Sequence, residues 1–164
     1  MERIFDAMPK PVFLFSFLAL VLLASCDDNR LYEENRELKD HAWTERDTLR
    51  FEFTVIDTAS PYNFYFNLRN ADDYPYSNIY VFMNTTFPNG KFRRDTVEFV
   101  LADQAGRWMG KGQGSLWDNQ LLFRKAMRFP LTGKYKIEIN QAMRRQSLPG
   151  ISDAGIRIEK YKPE

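Results

Sequence analysis

Leu49-Arg50-Phe51-Glu52-Phe53-Thr54-Val55 alternates apolar and polar residues without a break. Successive side chains of a strand point to opposite faces, so Leu49, Phe51, Phe53 and Val55 share one face while Arg50, Glu52 and Thr54 take the other. That is the pattern of a strand buried on one side and wet on the other. Thr58-Ala59-Ser60-Pro61 turns the chain, and Tyr62, Phe64, Phe66 and Leu68 then repeat the pattern against Asn63, Tyr65, Asn67 and Arg69. Asn70 to Asn78 is dense in turn formers. Ile79 to Met83 is apolar on both faces, which predicts a central strand covered on both sides. Pro88-Asn89-Gly90-Lys91 supplies an Asn-Gly hairpin turn, and Asp95, Val97, Phe99 and Leu101 mark the returning strand.

Further on the signal weakens and then returns. Ala102 to Ser115 carries Gly106, Gly110, Gly112 and Gly114 and is bracketed by Trp108 and Trp117, which predicts a loop. Asn119 to Phe129 reads either as a helical stripe, through Leu121-Leu122-Phe123 and Ala126-Met127, or as a strand, which its neighbours favour. Pro130-Leu131-Thr132-Gly133 turns the chain into Tyr135, Ile137 and Ile139, alternating with Lys134, Lys136 and Glu138. Gln141 to Gln146 is expected as a helical turn broken by Pro149-Gly150, and Gly155 to Glu159 as a last strand. Roughly seven to nine short strands with turns about every 8–14 residues define an all-β chain, an antiparallel β-sandwich with the jelly roll as one form.

Toward the N-terminus the character changes. Val12 to Leu23 is an uncharged apolar run, the length of a secretory signal core and too short to span a bilayer as a helix. Leu23-Ala24-Ser25-Cys26 then resembles a lipoprotein cleavage site, with small residues before the only cysteine of the chain. Residues 1–25 are therefore expected to be a lipoprotein signal peptide and Cys26 its acylated residue, its thiol accepting the lipid, with palmitate among the acyl groups. The start of translation is Met1 or Met8. Residues 26–47 are expected as an acidic tether and N-terminal segment, in which Asp27-Asp28 serve as plain solvation or as a sorting address. Within it Leu31-Tyr32 begin an edge strand and Trp43 plugs the core. Residues 48–164 make up the sandwich domain.

Charge and composition exclude several functions. The formal net charge is +1, so nothing suggests a nucleic-acid partner. Once Cys26 is acylated no thiol is left for a disulfide, a metal or catalysis. His41 is the single histidine and lies in the polar segment, which leaves a histidine-based triad one base at most. Asp72-Asp73, or Asp95 with Glu98, are the paired carboxylates a glycosidase would need, and Asp72-Asp73 with Asn70 and Asn78 are a conceivable calcium set. Turn chemistry and ordinary surface carboxylates account for the same residues. No catalytic residue, cofactor, metal or small-molecule substrate is expected, and the protein is read as a non-enzyme.

Aromatic residues make up 15% of the chain. Four of them, Tyr74, Tyr76, Trp108 and Trp117, sit in the two loops with the most permissive backbone and are the candidate partner-contact residues. Their alternative role is to fold back as lids on the core.

Several motifs together carry a resemblance: the lipoprotein site, Trp43 before an alternating strand, Leu68-Arg69-Asn70 leading to Tyr74-Pro75-Tyr76-Ser77-Asn78, Gly106-Arg107-Trp108-Met109-Gly110-Lys111-Gly112, Gly133-Lys134-Tyr135, Leu148-Pro149-Gly150-Ile151 and Asp153-Ala154-Gly155-Ile156. Their order and spacing resemble the gliding motility lipoprotein GldH family over nearly the whole chain. The resemblance implies a lipid-anchored cell-envelope protein serving gliding motility and the associated type IX secretion machinery, with other envelope proteins as partners and the outer membrane as the expected site. It implies no enzymatic activity and transfers no catalytic residue. The rival reading is a glycan-binding surface lipoprotein, since aromatic side chains on sandwiches stack on sugar faces.

Overall fold

The computed structural model describes residues 29–163 of the 164-residue chain, so the signal segment and Cys26 lie outside the described residues. The chain runs β1 (Arg30–Glu37), a short 3-10 turn (Lys39–His41), β2 (Ala42–Thr44), β3 (Leu49–Val55), β4 (Tyr62–Ala71), β5 (Asn78–Thr86), β6 (Phe92–Val100), β7 (Lys111–Gln113), β8 (Leu116–Met127), β9 (Gly133–Gln141), β10 (Ser147–Pro149) and β11 (Ile151–Lys160). One sheet has the order β1-β11-β4-β8-β7, the other β3-β9-β5-β6, and β10 pairs with β2 in a small ribbon. All pairings are antiparallel. Leaving out the three-residue strands, the eight long strands lie first-eighth-third-sixth in one sheet and second-seventh-fourth-fifth in the other, which is jelly-roll order.

Alternation explains the layering. In β3 the four apolar residues are buried and the three polar ones exposed. Its sheet neighbour β9 adds Tyr135, Ile137 and Ile139, and β4 and β11 of the facing sheet supply Tyr62, Phe64, Phe66, Leu68, Ile156 and Ile158, all buried. Phe66 stacks on Phe99 at 4.8 Å, tying the sheets together in mid-sandwich. A buried ring of this size removes about 150–250 Å² from water, worth on the order of 4–6 kcal/mol gross, an upper bound because the unfolded chain already hides some of it.

The sandwich has two ends, set by the connections. Asn29–Arg30, the loops 56–61, 87–91 and 128–132, and residues 161–163 gather at one, the end where the chain enters. The turn 38–47 and the loops 72–77, 101–110 and 142–146 gather at the other, here called the far end. At the far end Trp43 is fully buried and its indole N–H donates to the Asp47 carbonyl at 3.1 Å.

Two expectations are extended by the structure and two meet a different one. Leu31 and Tyr32 lie in an edge strand as expected, and that strand is longer than the pair: Arg30–Glu37 pairs along β11 at the edge of its sheet. That pairing is close, since a Cβ on Gly155 of β11 would collide with the Glu34 carbonyl and Asn35. Strand β5 is central in its sheet but covered on one face only; outside, Tyr80 is 38% exposed and Phe82 carries the Arg94 guanidinium 4.1 Å above its ring. Residues 143–146 are bends rather than a helical turn. The Gln141 side chain donates to the Arg145 carbonyl (2.6 Å) and accepts from the Met143 N–H (2.8 Å), satisfying groups a helix would have paired.

The strand favoured for residues 119–129 is present as β8, with its alternation broken by two β-bulges. Opposite β4 its register slips between Phe64 and Tyr65 and again between Tyr62 and Phe64. Each slip places an extra residue in β8, so Phe123 and Arg124 both turn toward the interior. Ala126 takes a left-handed φ of 54°, and its N–H donates to Asn63 Oδ1 at 3.0 Å. A bulge leaves a backbone donor without a ladder partner, and Asn63 supplies one.

Candidate functional site

Three of the four aromatic candidates meet at the far end. Tyr74 is buried at 3% exposure, with its ring 5.7 Å from that of Tyr76 and 6.3 Å from that of Trp108. Its hydroxyl donates to the Asn78 carbonyl at 3.1 Å, and burial holds its pKa well above the usual tyrosine range, so it stays a neutral donor. Tyr76 and Trp108 are half-buried and pack on the core, and Tyr76 Oη accepts from Arg145 Nε at 2.9 Å. Tyr74 is thus a core lid, while Tyr76 and Trp108 form a rim. The rings stand at 71° and 42° to Tyr74, so they present no flat platform for a sugar face.

The motif Leu148-Pro149-Gly150 holds this cluster. Gly150 has φ +78°, and a Cβ there would stand 3.1 Å from Tyr74 Cα. Its N–H donates to the His41 carbonyl (2.9 Å) and its carbonyl accepts from Ala71 (2.8 Å), so the backbone must pass close to both. Trp117 lies on the other side of the 72–77 loop. Its indole N–H donates to the Asp72 carboxylate and its ring covers Gly112, where a Cβ would be 2.7 Å away. The 103–107 turn is rigid: Asp103 accepts from the backbone N–H groups of Ala105 and Arg107 and from the Arg107 side chain, which together lower its pKa.

The carboxylate and metal candidates are drawn apart. Asp95 faces inward to Arg93 and to Arg124 (2.7 Å), while Glu98 faces outward to Asn78 (2.6 Å). Asn70 is fully buried, accepting from Asn119 Nδ2 at 2.9 Å, and so is turned away from Asp72 and Asp73. His41 is exposed on the 3-10 turn. Among the described residues no group of three or more His, Cys, Asp or Glu converges, and no helix is long and apolar enough to cross a membrane.

The sequence reading missed a cavity of about 290 Å³ between the sheets, toward the end where the chain enters. Phe53, Phe64, Met83, Phe123, Phe129 and Tyr135 line it, and Arg93, Asp95, Arg124 and Arg128 belong to its wall as well. One signal was visible: Asp95 stands in the same strand row as Val97 and Phe99, a charge in an apolar stripe. Inward charges on an edge strand also discourage pairing with another sheet, and β6 is such an edge.

The class these features define is a jelly-roll sandwich with its loops divided between two ends. Sequence comparison places the chain more narrowly. The family model for the GldH lipoproteins matches residues 30–158. The chain is 38% identical over 156 residues to a gliding motility lipoprotein GldH homolog of Christiangramia forsetii, covering 91% of this chain and 94% of the relative. It is 33% identical over 150 residues to the gliding motility lipoprotein GldH of Flavobacterium johnsoniae, covering 87% and 92%. A solved β-porphyranase of glycoside hydrolase family 86 from Bacteroides plebeius is similar over 86% of this chain and 22% of its own, at 14% identity and a TM-score of 0.38, which carries no argument. The chain belongs to the GldH lipoprotein family, which is linked to gliding motility.

Proposed function

We propose that the protein is a non-enzymatic, lipid-anchored component of the gliding motility and type IX secretion machinery, held through acylated Cys26 in the outer membrane and joined to other envelope proteins by its far-end loops. The observation that carries this reading is the extent of the family match, residues 30–158, which is nearly the whole sandwich, beginning four residues after Cys26. A domain confined to a membrane surface needs little intrinsic affinity for partners on the same surface, because confinement raises their effective concentration. The rims at Tyr76 and Trp108, together with the 103–110 loop bearing the 63% exposed Met109, combine aromatic and apolar groups on a rigid frame, a composition suited to protein contact. No observation favours the glycan reading, because the aromatic rings are tilted and Tyr74 is buried.

The test is affinity purification from the native membranes of the unaltered chain and of Cys26→Ala. Recovery of motility or secretion proteins with the first and not with the second is the expected result. Recovery of lipid and abundant porins alone would overturn the scaffold reading.

A further inference from the structure

The end of the sandwich where the chain enters differs from the rest of the surface. Of the eight large hydrophobics that stand exposed among the described residues, four lie there: Ile56 (83%), Phe92 (61%), Met127 (44%) and Leu131 (36%). They come from three separate connections, β3 to β4, β5 to β6 and β8 to β9, which the strand pairing brings to one end. Scattered exposed apolar residues are ordinary on protein surfaces, but convergence of separate loops on one end is a patch.

Charge accompanies the patch. Lys91, Lys125, Arg128 and Lys162 have no carboxylate partner among the described residues; Arg128 donates to the Ala59 carbonyl and Lys125 lies over the Tyr161 ring. Lys160 shares Asp57 at 3.7 Å, and Asp57 itself is turned to Ser60 and the backbone of its own turn. Asp27 and Asp28 oppose this excess from the segment before β1.

Chain length adds the third observation. Arg30 stands four residues beyond Cys26, a reach of roughly 13–14 Å fully extended, whereas the sandwich is about 30 Å from end to end for strands of this length. An acyl group on Cys26 therefore keeps this end beside the bilayer and leaves the far end free to project from it.

We propose that this end is a bilayer-docking surface, in which Ile56, Phe92, Met127 and Leu131 enter the interface of an anionic phospholipid membrane while the surrounding lysines and Arg128 meet its headgroups. The proposal rests on the reading of Cys26 as the acylated residue. Apolar side chains flanked by cations are the combination that gives interfacial binding its affinity for anionic lipid. Docking also orients the molecule, since it presents Tyr76, Trp108 and Met109 away from the membrane.

The test uses the acylated mature chain in phosphatidylglycerol/phosphatidylcholine vesicles. Because the single native cysteine carries the lipid, Ile56→Cys, Phe92→Cys and Leu131→Cys each give one labelling site, with Gln104→Cys at the far end as control. The expected result is a blue shift of an environment-sensitive label at the first three positions and its quenching by shallow nitroxide lipids, with neither at position 104. Lys91→Glu combined with Arg128→Glu and Lys162→Glu should remove the difference between anionic and purely zwitterionic vesicles while leaving the melting transition in place. If the protein floats with vesicles and carries the acyl mass, yet labels at 56 and 92 are quenched no more than at 104, docking is overturned and anchoring stands. Excimer emission between pyrene labels at position 56 would assign the patch to a second copy and overturn it likewise. An unacylated Cys26 by mass spectrometry overturns the anchoring reading and this proposal together.

Discussion

The two ends of the sandwich are built from the same eight strands and differ in almost every other respect. At the far end Trp43, Leu101, Leu148 and Ile151 leave no exposed surface, Tyr74 closes the top, and Gly150 and Asp103 hold the loops by backbone contacts. At the other end Phe129 meets Tyr62, Phe64 and Tyr135 at 5.0–5.2 Å, yet a cavity of about 290 Å³ remains beside them. The far end mixes acids and bases, Lys39 with Asp40, Arg107 with Asp103, Asp72 and Asp73 with Arg144 and Arg145, while the entering end is largely basic. A formal net charge of +1 conceals this division. The closed, mixed-charge end thus lies away from the point where β1 begins, and the basic, apolar end with the cavity lies beside it.

Truncating the two buried rings tests the contrast most severely. Trp43→Ala should cost about 3–5 kcal/mol in denaturant unfolding, because a fully enclosed site cannot collapse. Phe129→Ala should cost less, since its loss widens a space that already exists; equal losses would break the comparison. Enlarging the core should show the opposite preference: Leu101→Phe at the packed end should cost about 1–3 kcal/mol, whereas Val97→Phe, which can grow into the cavity, should cost less than about 1 kcal/mol.

A smaller effect is expected at the far-end rim. Trp108→Ala should lower stability by about 1–2 kcal/mol as a half-buried lid residue. Loss of co-purified envelope proteins with unchanged melting would instead make Trp108 a contact residue and sharpen the functional side of the contrast. The smallest effect belongs to Asp57 in the basic end. The Ser60 hydroxyl, with the N–H groups of Ser60 and Ala59 and the Lys160 charge, lowers its pKa to about 2. The folded value lies below the unfolded one of about 3.9, so the stabilisation is complete above the unfolded pKa and fades as pH falls toward the folded one. Melting temperatures of the native chain and Asp57→Asn should differ near neutral pH and converge only below about pH 2.

Much of the fold is legible without coordinates. The rows in β3, β4 and β9 read correctly because each side chain's face depends only on its parity along a strand. The Asn89-Gly90 hairpin reads correctly because Gly90 needs φ +77° and nothing else. β8 was ambiguous for a physical reason: two bulges change parity in mid-strand, and the residue that stabilises one of them, Asn63, is 63 positions away in sequence from Ala126. Among the loop aromatics, sequence could not divide the buried Tyr74 from the half-buried Tyr76 and Trp108. Burial of a loop aromatic depends on what the loop folds against. Asp95 and Glu98 look paired in the sequence and face opposite sides of β6.

What the sequence determined by itself is therefore local and periodic: an all-β chain, its buried rows, its turns and, by the order of its motifs, its family. Which strands neighbour one another, which loops share an end, where a void is left and how charges of a nearly neutral chain sort to one side were decided only in the tertiary structure. Those properties arise from pairings between residues far apart along the chain, and parity, turn propensity and composition hold no record of such pairings.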